Sequence, residues 1–155
     1  MDRRSTEYRW LSARLLKSSV SANIEGAGTA PKATPKHHSI FKYLYRDAGN
    51  FKTYGALLLS GYTPDADADL RACLEWDDQF VAEQVGVPVL CPEHWESVGE
   101  GPSDLDHAFH EFVCLRPATS QELNLPHGGS LQTLLARMQA ARGRWDVTLS
   151  PNCDE

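Results

Sequence analysis

The sequence predicts a small α+β domain whose elements follow the order β-β-α-β-α. An antiparallel sheet carries two helices on one face in this reading. Three observations lead to it. Residues 41–59 alternate and turn like a hairpin, residues 65–85 carry an apolar stripe, and a second stripe follows Ser130.

The hairpin is the clearest element. Phe41, Tyr43 and Tyr45 fall on one face of the first strand, and Ile40, Lys42, Leu44 and Arg46 on the other. Period-two alternation with aromatics marks a half-covered pleated surface. Asp47-Ala-Gly-Asn50 supplies turn chemistry, with Gly49 as the residue expected at positive φ in a type I turn closed by a bulge. The return strand, residues 51–60, becomes wholly apolar over Ala56-Leu-Leu-Leu59, so its far end is expected to be covered on both faces. Arg46, Asp47 and Lys52 surround the turn. They form either a small polar contact site or a turn-closing aspartate flanked by solvated cations.

The pattern Tyr45-Arg46-Asp47-x-x-Asn50-x-Lys52-x-x-Gly55 resembles one found in small uncharacterised bacterial proteins. The resemblance covers about a dozen residues. It implies a bacterial, intracellular origin and brings no mechanism with it.

Beyond the hairpin, Asp65, Asp67 and Asp69 open a helix expected to reach Val85, where acidic side chains favour the positive end of the macrodipole. Leu70, Cys73, Leu74, Asp77, Phe80, Val81 and Gln84 share its stripe, and Gly86 ends it. Residues 87–92 read as short and extended, and residues 93–103 as a loop. A third strand is expected over residues 108–115, bounded by Pro117. Another loop covers residues 118–129. Ser130 caps the last helix, which runs to Arg142 with Leu131, Leu134, Leu135 and Met138 inward. Gly143 stops it, and Trp145 packs beyond its end.

A chain of 155 residues and 17.2 kDa accommodates one domain, assigned to residues 38–150. Residues 1–37 read as a basic flexible arm and 151–155 as a tail. Within the arm, residues 1–18 favour a short helix, and the Gly-, Ser- and Pro-containing stretch 19–36 reads as a linker. Residues 1–46 hold nine Lys/Arg against three Asp/Glu; residues 47–155 hold six against eighteen. A basic arm on an acidic body follows, so nucleic acid is a partner only through residues 1–36. No apolar run is long enough for a membrane span or a secretory core, although residues 9–17 have the look of an organellar transit segment. The four cysteines, Cys73, Cys91, Cys114 and Cys153, lack Cys-x-x-Cys spacing; free thiols in the cytoplasm are expected.

Two function classes remain. The first is a non-enzymatic binding or adaptor module for a protein partner, with Arg46, Lys52 and Trp76 as contacts and no cofactor. The second is a metal-dependent hydrolase. Asp104-Leu-Asp106-His107-Ala-Phe-His110-Glu111 offers zinc-ligand chemistry through His107, His110 and Glu111, with His94 or Cys91 completing the set. Its order is His-x-x-His-Glu, not the His-Glu-x-x-His of helical zinc proteases. On a strand, His107 and Glu111 would share a face while His110 pointed away. Cys91-Pro-Glu-His94 allows a Cys-His nucleophile only if the side chains touch. The aspartates at 65, 67 and 69 imitate a calcium loop, but Leu70 and Trp76 occupy its obligatory Gly and Glu positions. Trp95 in a loop and His37-His38 before the first strand have plain packing and solvation readings.

Overall fold

The computed structural model describes residues 37–152. The expected arm with its expected short helix and linker, residues 1–36, and Cys153 lie outside them. The fold is mixed α+β, with a curled five-stranded sheet in the spatial order β3 (Gln79–Val81), β4 (Phe109–Pro117), β1 (His38–Arg46), β2 (Lys52–Ser60) and β5 (His127–Ser130). Strand β1 (His38–Arg46) pairs along its full length with β2 (Lys52–Ser60), from His38 opposite Ser60 to Arg46 opposite Lys52. The expected hairpin is therefore present. Its turn accepts Asn50 N–H on Asp47 O at 3.0 Å, and Asp47 N–H reaches Phe51 O at 3.1 Å. The left-handed residue is Asn50 (φ 67°), not Gly49. In this loop the bulge residue follows the turn, and an asparagine side chain tolerates that conformation.

Phe41, Tyr43 and Tyr45 are buried on the core face together with Leu57 and Leu59. Ile40, Leu44 and Leu58 are buried on the opposite face, so the apolar end of the hairpin is indeed covered on both sides. Tyr43 lies opposite Gly55, whose missing side chain leaves room for the ring. The Tyr43 hydroxyl donates to Pro88 O at 2.7 Å.

Strand β4 (Phe109–Pro117) is the second antiparallel partner of β1, on its other edge, with a register shift between Lys42 and Tyr43. The long helix expected over residues 65–85 is replaced by four short pieces. Helix α1 (Ala66–Arg71) is followed by a 3-10 turn (Trp76–Asp78), strand β3 (Gln79–Val81) and helix α2 (Ala82–Val85). Asp77 and Asp78 both adopt positive φ, which breaks the helix. Phe80 and Val81 then pair with the open edge of β4, opposite His110 and Phe109. Tertiary pairing has overridden the local helical pattern. The aspartates of α1 also do more than face a dipole: Asp67 accepts Leu115 N–H at 2.8 Å and pairs with Arg71 at 2.9 Å. Gly86 terminates α2 with φ 70°, as expected.

Helix α3 (Cys91–Val98) occupies much of the stretch read as extended chain and loop. Pro92 sits in its first turn and Gly99 closes it at φ 75°. A short strand β5 (His127–Ser130) pairs with β2 in parallel, making the sheet mixed rather than antiparallel. Gly128 fits there because a side chain would press on Leu57 and Leu59. Ser130 caps helix α4 (Leu131–Ala141) by accepting Thr133 N–H at 3.0 Å. Trp145 packs beyond the helix and donates to Cys73 O at 3.0 Å. The element order is thus ββαβααββα, with four helices in place of two. Buried residues of all four join one apolar cluster with Phe41, Tyr43, Phe80 and Phe112.

Gly55→Ala would place a methyl 2.9 Å from both the Tyr43 ring and Leu90. Urea unfolding is expected to register a loss of about 1–3 kcal/mol; an unchanged midpoint would show that the ring does not need this gap.

Candidate functional site

The hairpin turn delivers a carboxylate into the protein. Asp47 is buried, and its Oδ1 accepts Phe51 N–H at 3.0 Å, which closes the turn. Its Oδ2 lies 2.9 Å from His94 Nε2. His94 projects from α3 and is 1 % exposed. Its other nitrogen, Nδ1, meets Thr53 Oγ1 of β2 at 2.9 Å. In a neutral imidazole whose Nε2–H donates to the Asp47 carboxylate, Nδ1 is left to accept the Thr53 hydroxyl. Hydroxyl, imidazole and carboxylate then stand in the order used by acyl-transfer triads. Thr53, however, is buried and does not line the neighbouring cleft, which removes it as an accessible nucleophile.

A second carboxylate is built beside the first. Tyr45 donates its hydroxyl to Asp106 Oδ1 at 2.6 Å and accepts His107 N–H at 3.1 Å. Asp106 Oδ2 accepts the Trp95 indole N–H and Ser103 N–H, both at 2.9 Å. Burial works against the Asp106 charge, but donation from Tyr45, Ser103 and Trp95 outweighs it and holds the carboxyl below its ordinary pKa. Tyr45 is correspondingly held neutral, by burial first and by Asp106 second.

Both carboxylates open on a cleft of about 340 Å³. Asp47 and Phe51 come from the hairpin, His94, Trp95, Ser97 and Val98 from α3, and Glu100, Gly101, Ser103, Leu105 and Asp106 from the following loop. Phe51, Leu105 and Val98 remain 51 %, 43 % and 37 % exposed. Ala48 N–H donates to Leu105 O at 2.9 Å, fastening that loop to the turn.

The metal candidates are distributed differently. The rings of His94, His107 and His110 surround Tyr45, with centroids 4.9, 5.4 and 5.3 Å from its own. Their nitrogens point to separate partners. His94 bonds Asp47 and Thr53; His107 Nδ1 accepts Phe109 N–H at 3.1 Å; His110 Nε2 accepts Leu90 N–H at 3.0 Å. Glu111 turns to the opposite face from His110, as the strand reading required, and pairs with Arg46 at 2.9 Å; His107, which precedes β4, lies with His110 against Tyr45 and does not share the Glu111 face as that reading expected. Among the described residues no group of three or more His, Cys, Asp or Glu side chains is placed to hold a metal. Cys91 accepts from Asn152 Nδ2 at 2.8 Å, and burial pushes its thiol up to about 12. With both His94 nitrogens committed elsewhere, the Cys-His nucleophile is not assembled.

Of the expected partner contacts, Arg46 is held by Glu111 and by Asn50 Oδ1 at 3.1 Å, while Lys52 is exposed across the hairpin from it. Trp76 is 86 % exposed on the turn before the edge strand β3. Sequence patterns raise Asp47 as part of a polar tip or as a turn residue and place Asp106 in the acidic, histidine-bearing stretch 104–111, but they do not single out Thr53 or Phe51 and do not bring Asp47 and Asp106 together. The pairing of Tyr45 and Asp47 with residues of a distant segment leaves no periodic signal. No helix among the described residues is long and apolar enough to cross a membrane. No protein-family model, curated protein or solved structure matches the chain.

Tyr45→Phe removes one donor from Asp106 and the acceptor of His107 N–H. A loss of about 1–3 kcal/mol in chemical denaturation is expected; a value near zero would mean that water replaces the hydroxyl. His110 offers a second check. Burial lowers its pKa to about 4. The unfolded chain takes up a proton below about 6.5 that the folded chain refuses. Stability from this group is complete above that pH and declines as the pH falls toward 4, by roughly 3 kcal/mol in all. Unfolding midpoints compared at pH 7 and 4.5 should show a smaller drop in His110→Gln than in the parent; equal drops would refute the assignment.

Proposed function

We propose that this chain is a small non-enzymatic binding module that contacts a protein partner through the cleft at the hairpin tip. The observation that carries the reading is the exposed apolar rim. Phe51, Leu105 and Val98 stand in water around a concave site floored by ordered polar groups. Exposed apolar side chains that border a cavity mark interaction surfaces, and aromatics are frequent anchors there. The polar floor is already internally bonded, which suits a rigid recognition surface. Lys52 follows Phe51 directly and, with Arg46, supplies a cationic flank to the tip. Trp76 offers a further anchor on the β3 edge.

A zinc-dependent hydrolase would require His94, His107 and His110 to give up their present partners. Stoichiometric zinc retained by the purified protein and lost in His107→Ala would favour that reading. Nucleic-acid binding through residues 1–36 is a separate proposal, tested by deleting them.

The module reading is tested with peptides selected by display on the full chain and mapped by NMR. Bound peptides should shift the Phe51 amide, the Trp95 indole N–H and the Leu105 amide. Phe51→Ser should weaken them at least tenfold, about 1.4 kcal/mol. Peptides that perturb only other surfaces, or that bind the variant equally well, would sink the proposal.

A further inference from the structure

The cleft combines two features that rarely serve the same purpose. Its rim is apolar and aromatic, but every charge-bearing residue that lines it, His94 aside, is acidic: Asp47, Glu100 and Asp106. Among the described residues no Lys or Arg lines it. We infer that the group it receives is the cationic end of a basic side chain, a lysine or arginine presented by the partner segment. This inference rests on the binding-module reading and names the chemistry that reading leaves open.

Asp106 is held ionised by three donors, from Tyr45, Trp95 and Ser103. Asp47 meets the backbone of its own turn and His94. A carboxylate offers about four acceptor positions. Asp106 has filled three and Asp47 two, so acceptor capacity remains on both. An anionic ligand would meet repulsion from this lining, and a purely apolar one would desolvate carboxylates that still have acceptor positions to fill. A basic side chain satisfies both parts of the lining. Its methylenes lie along Phe51, Val98 and Leu105, while its head meets the carboxylates. Phe51 and Trp95 line the same cleft, and a cation there gains from aromatic neighbours. The volume of about 340 Å³ stands at the lower end of ligand pockets, which suits one long side chain better than an inserted helix. Residues 47–155, with six basic and eighteen acidic side chains, carry a net negative charge that favours the approach of a basic segment.

The test uses Nα-acetyl-lysine N-methylamide and its norleucine analogue, titrated into the full chain by NMR at 50 mM salt. The lysine probe should shift the Trp95 indole and Phe51 amide and bind at least tenfold more tightly than norleucine. Its affinity should fall severalfold at 500 mM salt, as screening weakens an ion pair. Glu100→Gln, a change on the loop at the rim, should weaken it two- to threefold and leave thermal unfolding unaltered. Equal binding of the two probes would overturn the cationic assignment while the module stands, with an apolar group as the guest. The cationic assignment also falls, and the module again stands, if neither probe shifts the cleft but display-selected peptides do. If peptides and probes alike leave the cleft unperturbed, both readings fail together.

Discussion

The constraint on which the fold depends is a charge placed inside the protein. Asp47 lies at the end of β1, where a turn residue normally faces water. Here its carboxylate is buried, and it is tolerable only because the Phe51 backbone and the His94 ring both bond it. That requirement adds a polar tie between the hairpin and α3, two segments that also meet in the apolar cluster. Helix α3 must dock so that His94 reaches the turn, and Thr53 must present its hydroxyl on the core face of β2. Once α3 is docked, Trp95 is brought to Asp106, and Asp106 in turn receives Tyr45. The polar floor of the cleft is one connected consequence of that first buried carboxylate.

The aromatic core obeys the same geometry. Tyr43 and Tyr45 are amphipathic: each buries its ring among apolar side chains and sends its hydroxyl to a specific acceptor, Pro88 O or Asp106. Tyr45 also separates three histidine rings that are adjacent in space but bonded elsewhere. Proximity of imidazoles is therefore not convergence of their nitrogens. His110 shows the difference most clearly, since it is neutral, buried and already an acceptor for Leu90.

Much of the scaffold is legible in the chain because it depends on local rules. The alternation of Phe41, Tyr43 and Tyr45, the Ser130 cap and the left-handed Gly86 each have a short-range cause. Helix α3 escapes a sequence reading although its signals are present. Pro92 and Gly99 are as suited to the two ends of a helix as to a loop, and sequence alone weighs both uses equally. Strand β3 is hidden in a helical stripe, because its identity comes from the β4 edge and not from Gln79, Phe80 and Val81 themselves. Strand β5, containing Gly128 and Gly129, has almost no strand propensity and exists through its contact with β2. At the site, Tyr45, Arg46, Asp47, Asn50 and Gly55 each turn out to hold a neighbour, a turn or a gap. The side chains they meet lie mostly in other segments, so their roles emerge only in three dimensions.

The central place of β1 in the sheet has a kinetic side. One of its ladders closes locally, across the short turn that follows Arg46, while the other waits for β4; Arg46 and Glu111 are separated by 65 residues. Such a topology assembles its hairpin early and its second seam late, after a costly loop closure. In the interval, the unfilled side of β1 presents bare backbone donors and acceptors beside three buried-to-be aromatics. The nascent chain is then most exposed to self-association, and a chaperone's protection would count most between synthesis of β2 and arrival of β4.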